Sequence, residues 1–253
     1  MAKEKTINIL VPMAGLGTPF KEAGYAFPKP LIDVGGKTMI EVVISNLKPT
    51  VKHRFIFVCL REHYEKFDLH NIFKQATLNS FEVILLSGKT EGAACTALTA
   101  TQYINTDEAL VICNSDQIVE GGINQFIKAA REKNADGYIL TFTSSHPKWS
   151  YARVNEENKV IEVAEKKVIS DHATVGIYYF KHGSDFVSAA QAMIQKNIRH
   201  NGEFYIAPAF NELILGGKNI FIKEIASNKM HGLGTPEDLN AFLKELEKGK
   251  IKI

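Results

Sequence analysis

Apolar residues along the chain gather in short runs separated by polar stretches with helical spacing. Residues 7–11 form a β-branched run bounded by turn residues and predict a buried strand. Residues 37–47 place apolar side chains at helical intervals. A second buried strand is expected over 54–60, a polar-faced helix over 62–76, and a third strand over 81–86. The Gly/Ala/Thr stretch 88–101 turns into a helix, and 109–116 reads as a strand ending in polar residues. A helix over 123–133 and a strand over 137–143 continue the alternation. Strands alternating with helices predict an α/β fold whose parallel or mostly parallel sheet is covered on both faces.

After residue 150 the texture changes. Short strands over 151–154, 159–165 and 173–180 are separated by Asn, Glu, Asp and Gly turns. Helices over 184–197 and 208–215, a strand over 220–225 and a closing helix from Thr235 follow. Without a linker, a repeat or a low-complexity segment, residues 1–253 read as one domain with halves of about 1–145 and 146–253. In such sheets ligands bind beyond the carboxyl ends of the strands, so loop 14–30, loop 87–92 and Asn114–Asp116 are expected on one edge.

Composition narrows the class. The 253 residues carry 30 Lys and Arg against 28 Asp and Glu, a formal charge of +2, with no basic stripe of the kind that binds nucleic acid. Cys59, Cys95 and Cys113 are scattered and lack zinc-ligand spacing; they read as reduced thiols of a cytoplasmic protein. MAKEKTINIL is too polar for a secretory leader, and no stretch approaches the ~20 apolar residues of a membrane span.

Candidate chemistry begins at MAGLGTPFKEAGYAFPKPLI, residues 13–32. Gly15 and Gly17 flank Leu16 directly after the first strand, where bare backbone N–H groups can approach an anion. A dinucleotide fingerprint would need a third glycine, but position 20 is Phe. A Walker loop would need glycine five positions before either GK glycine, and those positions are Leu31 and Val83. A triphosphate draped over a short glycine loop uses the next feature too. Lys29 sits between Pro28 and Pro30, a cation on a stiffened backbone. The plainer alternatives are a tight turn and an exposed lysine.

Asp116 closes the fourth strand. An unpaired buried carboxylate is costly there, whereas Mg²⁺ takes one or two carboxylates together with water and phosphate oxygens. A turn former or helix cap is the alternative. Small residues around Gly92 in TEGAAC would let a base lie flat on the backbone, or simply allow close helix packing. Glu165 and Lys166, adjacent near the end of a strand, would face opposite ways in regular alternation.

In sequence order, the apolar strand, GxG loop, PK, small-residue segment, strand-end Asp, EK, VGIYYF and late GLGTPEDL make the chain similar to the sugar-1-phosphate nucleotidylyltransferases and the related small-phosphate cytidylyltransferases, from Ile7 to about Leu243. The resemblance implies a Rossmann-like fold of the nucleotide-diphospho-sugar transferase type. It implies NMP transfer from an NTP to a phosphorylated acceptor with release of pyrophosphate, in capsule or other surface polysaccharide synthesis. By the same resemblance Ala14, Gly15, Leu16 and Gly17 would cradle the phosphates, with Lys29 at the reacting centre. Thr90, Gly92 and Ser115 would meet the nucleotide, and Asp116 would hold Mg²⁺. Glu165, Lys166, Gly176 and Glu203 would serve the acceptor, with Lys166 on its phosphate. The acceptor would be a sugar-1-phosphate, or phosphocholine or phosphoglutamine used with CTP. The partners implied are these small molecules, with no nucleic acid or membrane and with homo-oligomers allowed.

Two positions depart from the family pattern. An arginine is expected where Pro19 stands, with Lys21, Arg61 and Arg153 as substitutes. A second metal carboxylate is expected at Gly232, near His231, Glu237 and Asp238. These departures keep two rivals open. One is a glycosyltransferase, whose D-x-D pattern would be half-matched by Asn114-Ser115-Asp116. The other is a nucleotide-binding protein without turnover.

Overall fold

A computed structural model describes residues 6–251 and 253; Met1–Lys5, half of the opening stretch read above as free of a leader, lie outside the described residues. The N-terminal half runs β1 (Ile7–Pro12), α1 (Thr18–Glu22), β2 (Asp33–Val34), β3 (Lys37–Thr38), α2 (Met39–Leu47) and β4 (His53–Leu60). It continues with α3 (Arg61–Lys66), α4 (Leu69–Thr77), β5 (Phe81–Leu86), α5 (Ala93–Leu98), α6 (Thr101–Ile104), β6 (Leu110–Cys113) and β7 (Gln117–Val119). Then come α7 (Asn124–Glu132), β8 (Gly137–Thr143), β9 (Tyr151–Val154), β10 (Val160–Ala164) and β11 (His172–Phe180). The chain closes with α8 (Gly183–Gln195), α9 (Ala209–Leu215), β12 (Ile220–Ile225), β13 (Met230–Gly232) and α10 (Pro236–Glu247).

The central sheet is mixed, in the order β10-β9-β11-β6-β1-β4-β5, with β8 added beside β11 and β12 beside β8. β6, β1, β4 and β5 run parallel, so Cys113, Pro12, Leu60 and Leu86 all end on one edge. β11 enters antiparallel to β6, with Ile177 opposite Cys113, so its first residues project past that same edge. Both halves therefore share one sheet.

Strand alternation divides the core. Ile9, Phe55, Phe57 and Val111 pack on one face with α2, α4, α7 and α10; Leu10, Ile56, Val58 and Ile112 pack on the other with α5, α8 and α9. Helix α2 starts with a full capping box between Thr38 and Glu41, which satisfies the backbone amides of those two residues. The single helix expected over 62–76 is two. Asp68 adopts φ 51°, a left-handed conformation that breaks the ladder between α3 and α4. The strand expected over 109–116 stops at Cys113, and Gln117–Val119 leaves the sheet to pair antiparallel with β13 as a separate ribbon. Cys59 and Cys113 are buried and unpaired; burial alone pushes the Cys59 thiol up to about 12 and Cys113 above its ordinary value too, so both stay protonated. Among the described residues, no helix is long and apolar enough to cross a membrane.

Candidate active site

The loops on the carboxyl edge enclose two adjoining cavities, one of about 430 Å³ and one of about 300 Å³. Pro12, Lys29, Ala93, Ser115 and Tyr205 line both, so these residues mark where the cavities meet.

The smaller cavity is built on the glycine loop. Ala14, Gly15, Leu16 and Thr18 line it, together with Thr90 and Gly92 across the gap. Gly17 stands behind rather than in the wall. At φ 62° it forms the N-cap of α1, and a Cβ there would press on Lys29 Cβ at 3.0 Å. Pro19 falls in the first turn of α1, where its missing N–H would have had no helical partner. The loop therefore closes normally despite the substitution, which removes only a side-chain cation. The residues expected to replace it stand elsewhere. Arg61 pairs with Glu65 at 3.3 Å, Arg153 pairs with Glu162, and Lys21 is exposed outside both cavities. Lys89, which the sequence offers only as part of a failed Walker match, is the cation that joins Lys29 in the smaller cavity.

Lys29 begins a single 3₁₀ turn, closed by the amide of Ile32 donating to its carbonyl at 3.2 Å, with Pro30 buried beneath. Its Nζ donates to Asp116 Oδ2 at 2.8 Å, and the two side chains are 20% and 24% exposed. Asp116 is tied in turn to the β7–β13 ribbon, where the Leu233 amide donates to its carbonyl at 2.7 Å. A Cβ on Gly234 would come within 2.9 Å of Asp116 Oδ2, so glycine spares the carboxylate that contact and leaves the oxygen to Lys29.

The larger cavity holds Glu165, Lys166 and Gly176. The alternation expected for Glu165 and Lys166 does not operate, because β10 ends at Ala164 and Lys166 takes φ 49°. Both side chains thereby face the same cavity. Glu165 accepts from the Ser150 hydroxyl. Burial raises its pKa above the ordinary carboxylate value, against the opposing pull of Ser150, Lys166 and His200. Lys166 Nζ donates to the Tyr205 hydroxyl at 2.9 Å, and that hydroxyl donates to Glu203 at 3.0 Å. Burial works against the charge on Lys166, but Tyr205, Glu165 and Glu203 outweigh it, and its pKa lies above the usual lysine value. Glu203, expected on the acceptor side, instead lines the smaller cavity; it reaches Lys166 only through Tyr205.

Gly176 adopts φ 87° within a register shift between Thr174 and Tyr178 that opens β11 against β8. The lining residues Gln117, Lys148, Trp149 and Tyr205 carry no recognisable spacing in the sequence. Lys148 pairs with Asp238 at 3.3 Å, which places Asp238 beside Gly232 where a second carboxylate was expected. Among the described residues no three His, Cys, Asp or Glu side chains cluster as a ready metal cage.

The family model for nucleotidyl transferases matches residues 10–219. The bifunctional protein GlmU of Methanocaldococcus jannaschii is 26% identical over 242 residues, covering 92% of this chain and 52% of that protein. The GlmU of Methanococcus maripaludis is 24% identical over 217 residues, with 84% and 48% covered. The chain thus spans about half the length of these curated relatives. Among solved structures, a nucleoside-diphosphate-sugar pyrophosphorylase from Vibrio cholerae RC9 superposes with a TM-score of 0.79 at 28% identity, covering 93% of this chain and 99% of that one. A putative glucose-1-phosphate thymidylyltransferase from Bacillus anthracis, at 19% identity and a TM-score of 0.78 over 98% and 97% of the two chains, shares the fold.

Proposed function

The chain belongs to the nucleotidyl transferase family, and from that premise we propose that it moves an NMP group from an NTP to a sugar-1-phosphate, releasing pyrophosphate. The observation that carries this reading is the pair of cavities meeting at Lys29, Ser115 and Tyr205, one walled by the glycine loop and the other by Glu165 and Lys166. The names of the relatives, a GlmU and a nucleoside-diphosphate-sugar pyrophosphorylase, support a sugar phosphate as acceptor. Capsule or other surface polysaccharide assembly is the use we assign to the product.

The chemistry follows from charge. The acceptor phosphate is a dianion at neutral pH and needs no general base. Its oxygen attacks the α-phosphorus of the NTP, and the bond to the pyrophosphate oxygen breaks. The obstacle is holding two polyanions together, which positioned charge overcomes. An opposite charge at 4 Å is worth roughly 4 kcal/mol gross at an effective dielectric near 20. Lys29 supplies one such contact at the junction, and Lys166 one on the acceptor phosphate. The glycine loop offers backbone donors, and Ser115 a buried hydroxyl between the cavities. Asp116 suits Mg²⁺ through Oδ1, which makes no hydrogen bond among the described residues, while Oδ2 is held by Lys29. Asp116 would hold the ion together with phosphate oxygens, and bound there the ion would neutralise charge on the reacting phosphates.

The test is pyrophosphate release with Mg²⁺, all four NTPs and a panel of sugar-1-phosphates, phosphocholine and phosphoglutamine. Release that requires one NTP and one sugar-1-phosphate is expected. CTP with either non-sugar phosphate is the alternative that the same panel reads. NTP binding without release for any pair would overturn the transferase reading.

A second expectation concerns Glu165. Its folded-state pKa is raised, so the folded chain holds more protons than the unfolded one above the ordinary carboxylate value. Stability therefore falls as pH rises from the unfolded value through the raised one. Glu165→Gln removes that loss and keeps an acceptor for the Ser150 hydroxyl. Thermal melts at neutral pH should show a higher midpoint, with the advantage shrinking as pH is lowered through that window. The KM for the acceptor should rise by about 10–100-fold, the factor for a lost hydrogen bond to charge. A midpoint lower than wild type at neutral pH contradicts the assignment.

A further inference from the structure

Loop 87–92, between β5 and α5, supplies one wall of the smaller cavity through Lys89, Thr90 and Gly92. The hydroxyls of Thr90 and Thr96 donate to the Gly92 carbonyl, but these bonds stay within the segment. Among the described residues, every hydrogen bond and ion pair that ties residues 87–94 to a distant part of the chain goes to residues 199–204. The Phe204 amide donates to the Glu91 carbonyl at 2.8 Å, and the Ala94 amide donates to the Phe204 carbonyl at 3.0 Å. Arg199 Nη1 pairs with Glu91 Oε2 at 2.6 Å. One wall of the smaller cavity therefore hangs on a segment far along the chain.

Arg199 is the side chain that makes this contact. Its Nε donates to Asn197 Oδ1 at 2.6 Å and its Nη1 to the Gly202 carbonyl at 3.0 Å. Its Cζ stands 4.0 Å from the centre of the Phe204 ring. One guanidinium thus closes segment 197–204 on itself, covers Phe204 and grips Glu91. The planar fork of arginine serves these directions at once, which the point charge of lysine does not. The segment is bent to present it. Asn197 and Asn201 take left-handed φ of 53° and 47°, and the amides of His200 and Glu203 each donate to the other's carbonyl at 3.0 Å.

Stability does not explain this arrangement. Arg199 is 31% and Glu91 67% exposed, and pairs so open to water contribute little to folding. Neither side chain lines either cavity. The clasp instead joins Thr90 and Gly92 on one segment to Glu203 and Tyr205 on the other, and all four line the smaller cavity.

Resting on the transferase reading, we propose that Arg199 is a positioning residue for the nucleotide: by clasping Glu91 it holds loop 87–92 where Thr90 and Gly92 close on the NTP. A wall that stands in place only part of the time weakens the apparent affinity by that fraction. The two ends of the pair then separate clasp from charge. Glu91 adjoins the wall of a polyanion site, so on charge alone its removal tightens NTP binding. Through the clasp, its removal weakens it.

The experiment is calorimetric titration with the NTP that the wild type binds best, with steady-state kinetics alongside, on Arg199→Met, Glu91→Met and the double variant. Arg199→Met is expected to raise both the Kd and the KM for the NTP by about 10-fold, and Glu91→Met by about 3-fold. The double variant should be no worse than Arg199→Met, because the partner is already lost. The acceptor KM, and kcat at saturation, should stay near wild type. Tighter or unchanged NTP binding by Glu91→Met overturns the proposal. So do additive losses in the double variant, or a fall in kcat and in both affinities that tracks the melting temperature, the mark of general damage. Should Arg199→Met fail to fold, Glu91→Met, changed at an exposed position, decides alone by its sign. Wild-type binding of NTP without pyrophosphate release removes the transferase reading and leaves the titrations to decide the clasp. A wild type that binds no NTP removes both.

Discussion

Lys29→Met is expected to reduce turnover by about 10²–10³-fold, the loss typical of a removed electrostatic stabiliser, while the melting temperature moves by only a few degrees. The two effects separate because of where the side chain stands. Its partner Asp116 keeps 24% of its side chain exposed, so water can solvate the carboxylate when the ammonium is gone. Pairs of this kind contribute about 0–1 kcal/mol to folding, a shift of roughly 2–4 °C in a chain of this size. The 3₁₀ turn that holds residue 29 depends on its backbone and on Pro28 and Pro30, none of which the substitution alters. In catalysis no solvent substitute exists, since Lys29 lines both cavities at their junction. Turnover and thermal melts on one preparation check the claim. A large fall in stability matching the fall in rate would make Lys29 a structural residue.

Gly92→Ala is expected to act in the opposite way, through the fold. Gly92 has φ 128°, and an added Cβ would strike the Phe204 carbonyl oxygen and lie 2.6 Å from its amide nitrogen. Backbone faces backbone there, so no side chain can swing clear. The same contact is stitched by the Phe204 amide donating to Glu91 at 2.8 Å and the Ala94 amide donating to Phe204 at 3.0 Å. Overpacking and an unfavourable φ together cost about 2–4 kcal/mol. The damage passes directly to Tyr205, the neighbour that lines both cavities and holds Lys166. Urea unfolding should show the lower midpoint, and kinetics well below the melting temperature should show higher KM values for both substrates. Wild-type stability would mean that loop 87–92 does not rest on Phe204.

The two substitutions bracket how far the sequence reveals this molecule. The strand–helix alternation was readable because each strand is a compact apolar run, and the gathering of loops on one edge follows from parallel pairing alone. Gly15, Lys29 and Asp116 were visible because each is an odd choice for its place: bare backbone after a strand, a cation between prolines, a carboxylate closing a buried run. Pro19 was not legible: it reads in the sequence only as a missing arginine, and its place in the opening turn of α1 comes from the fold. What stayed hidden depends on pairing over long distance. Three-residue strands such as β7 and β13 carry no periodicity, so the residue pattern does not bring Gly232 and Gly234 to Gln117 and Asp116; only the family resemblance points to the Gly232 region. Glu165 and Lys166 misled for a local reason, since a left-handed φ at Lys166 is not written in its side chain. Tyr205 and Gln117 lie beside residues that were noticed, Glu203 and Asp116, yet only the folded wall distinguishes them from their neighbours.

The β7–β13 ribbon also bears on how the protein is made. Asp116 is fastened by the amide of Leu233, and Gln117 faces Gly232 across the same ribbon. A ribosome extrudes the first of these residues long before the second. Through most of translation the glycine loop and the parallel strands can assemble, while Asp116 and Gln117 wait without their support. The nascent chain therefore holds every residue of the smaller cavity, the last of them Tyr205, before it holds the strand that completes the ribbon. Arrest of synthesis ahead of Met230 would leave Asp116 and Gln117 without the strand that fastens them.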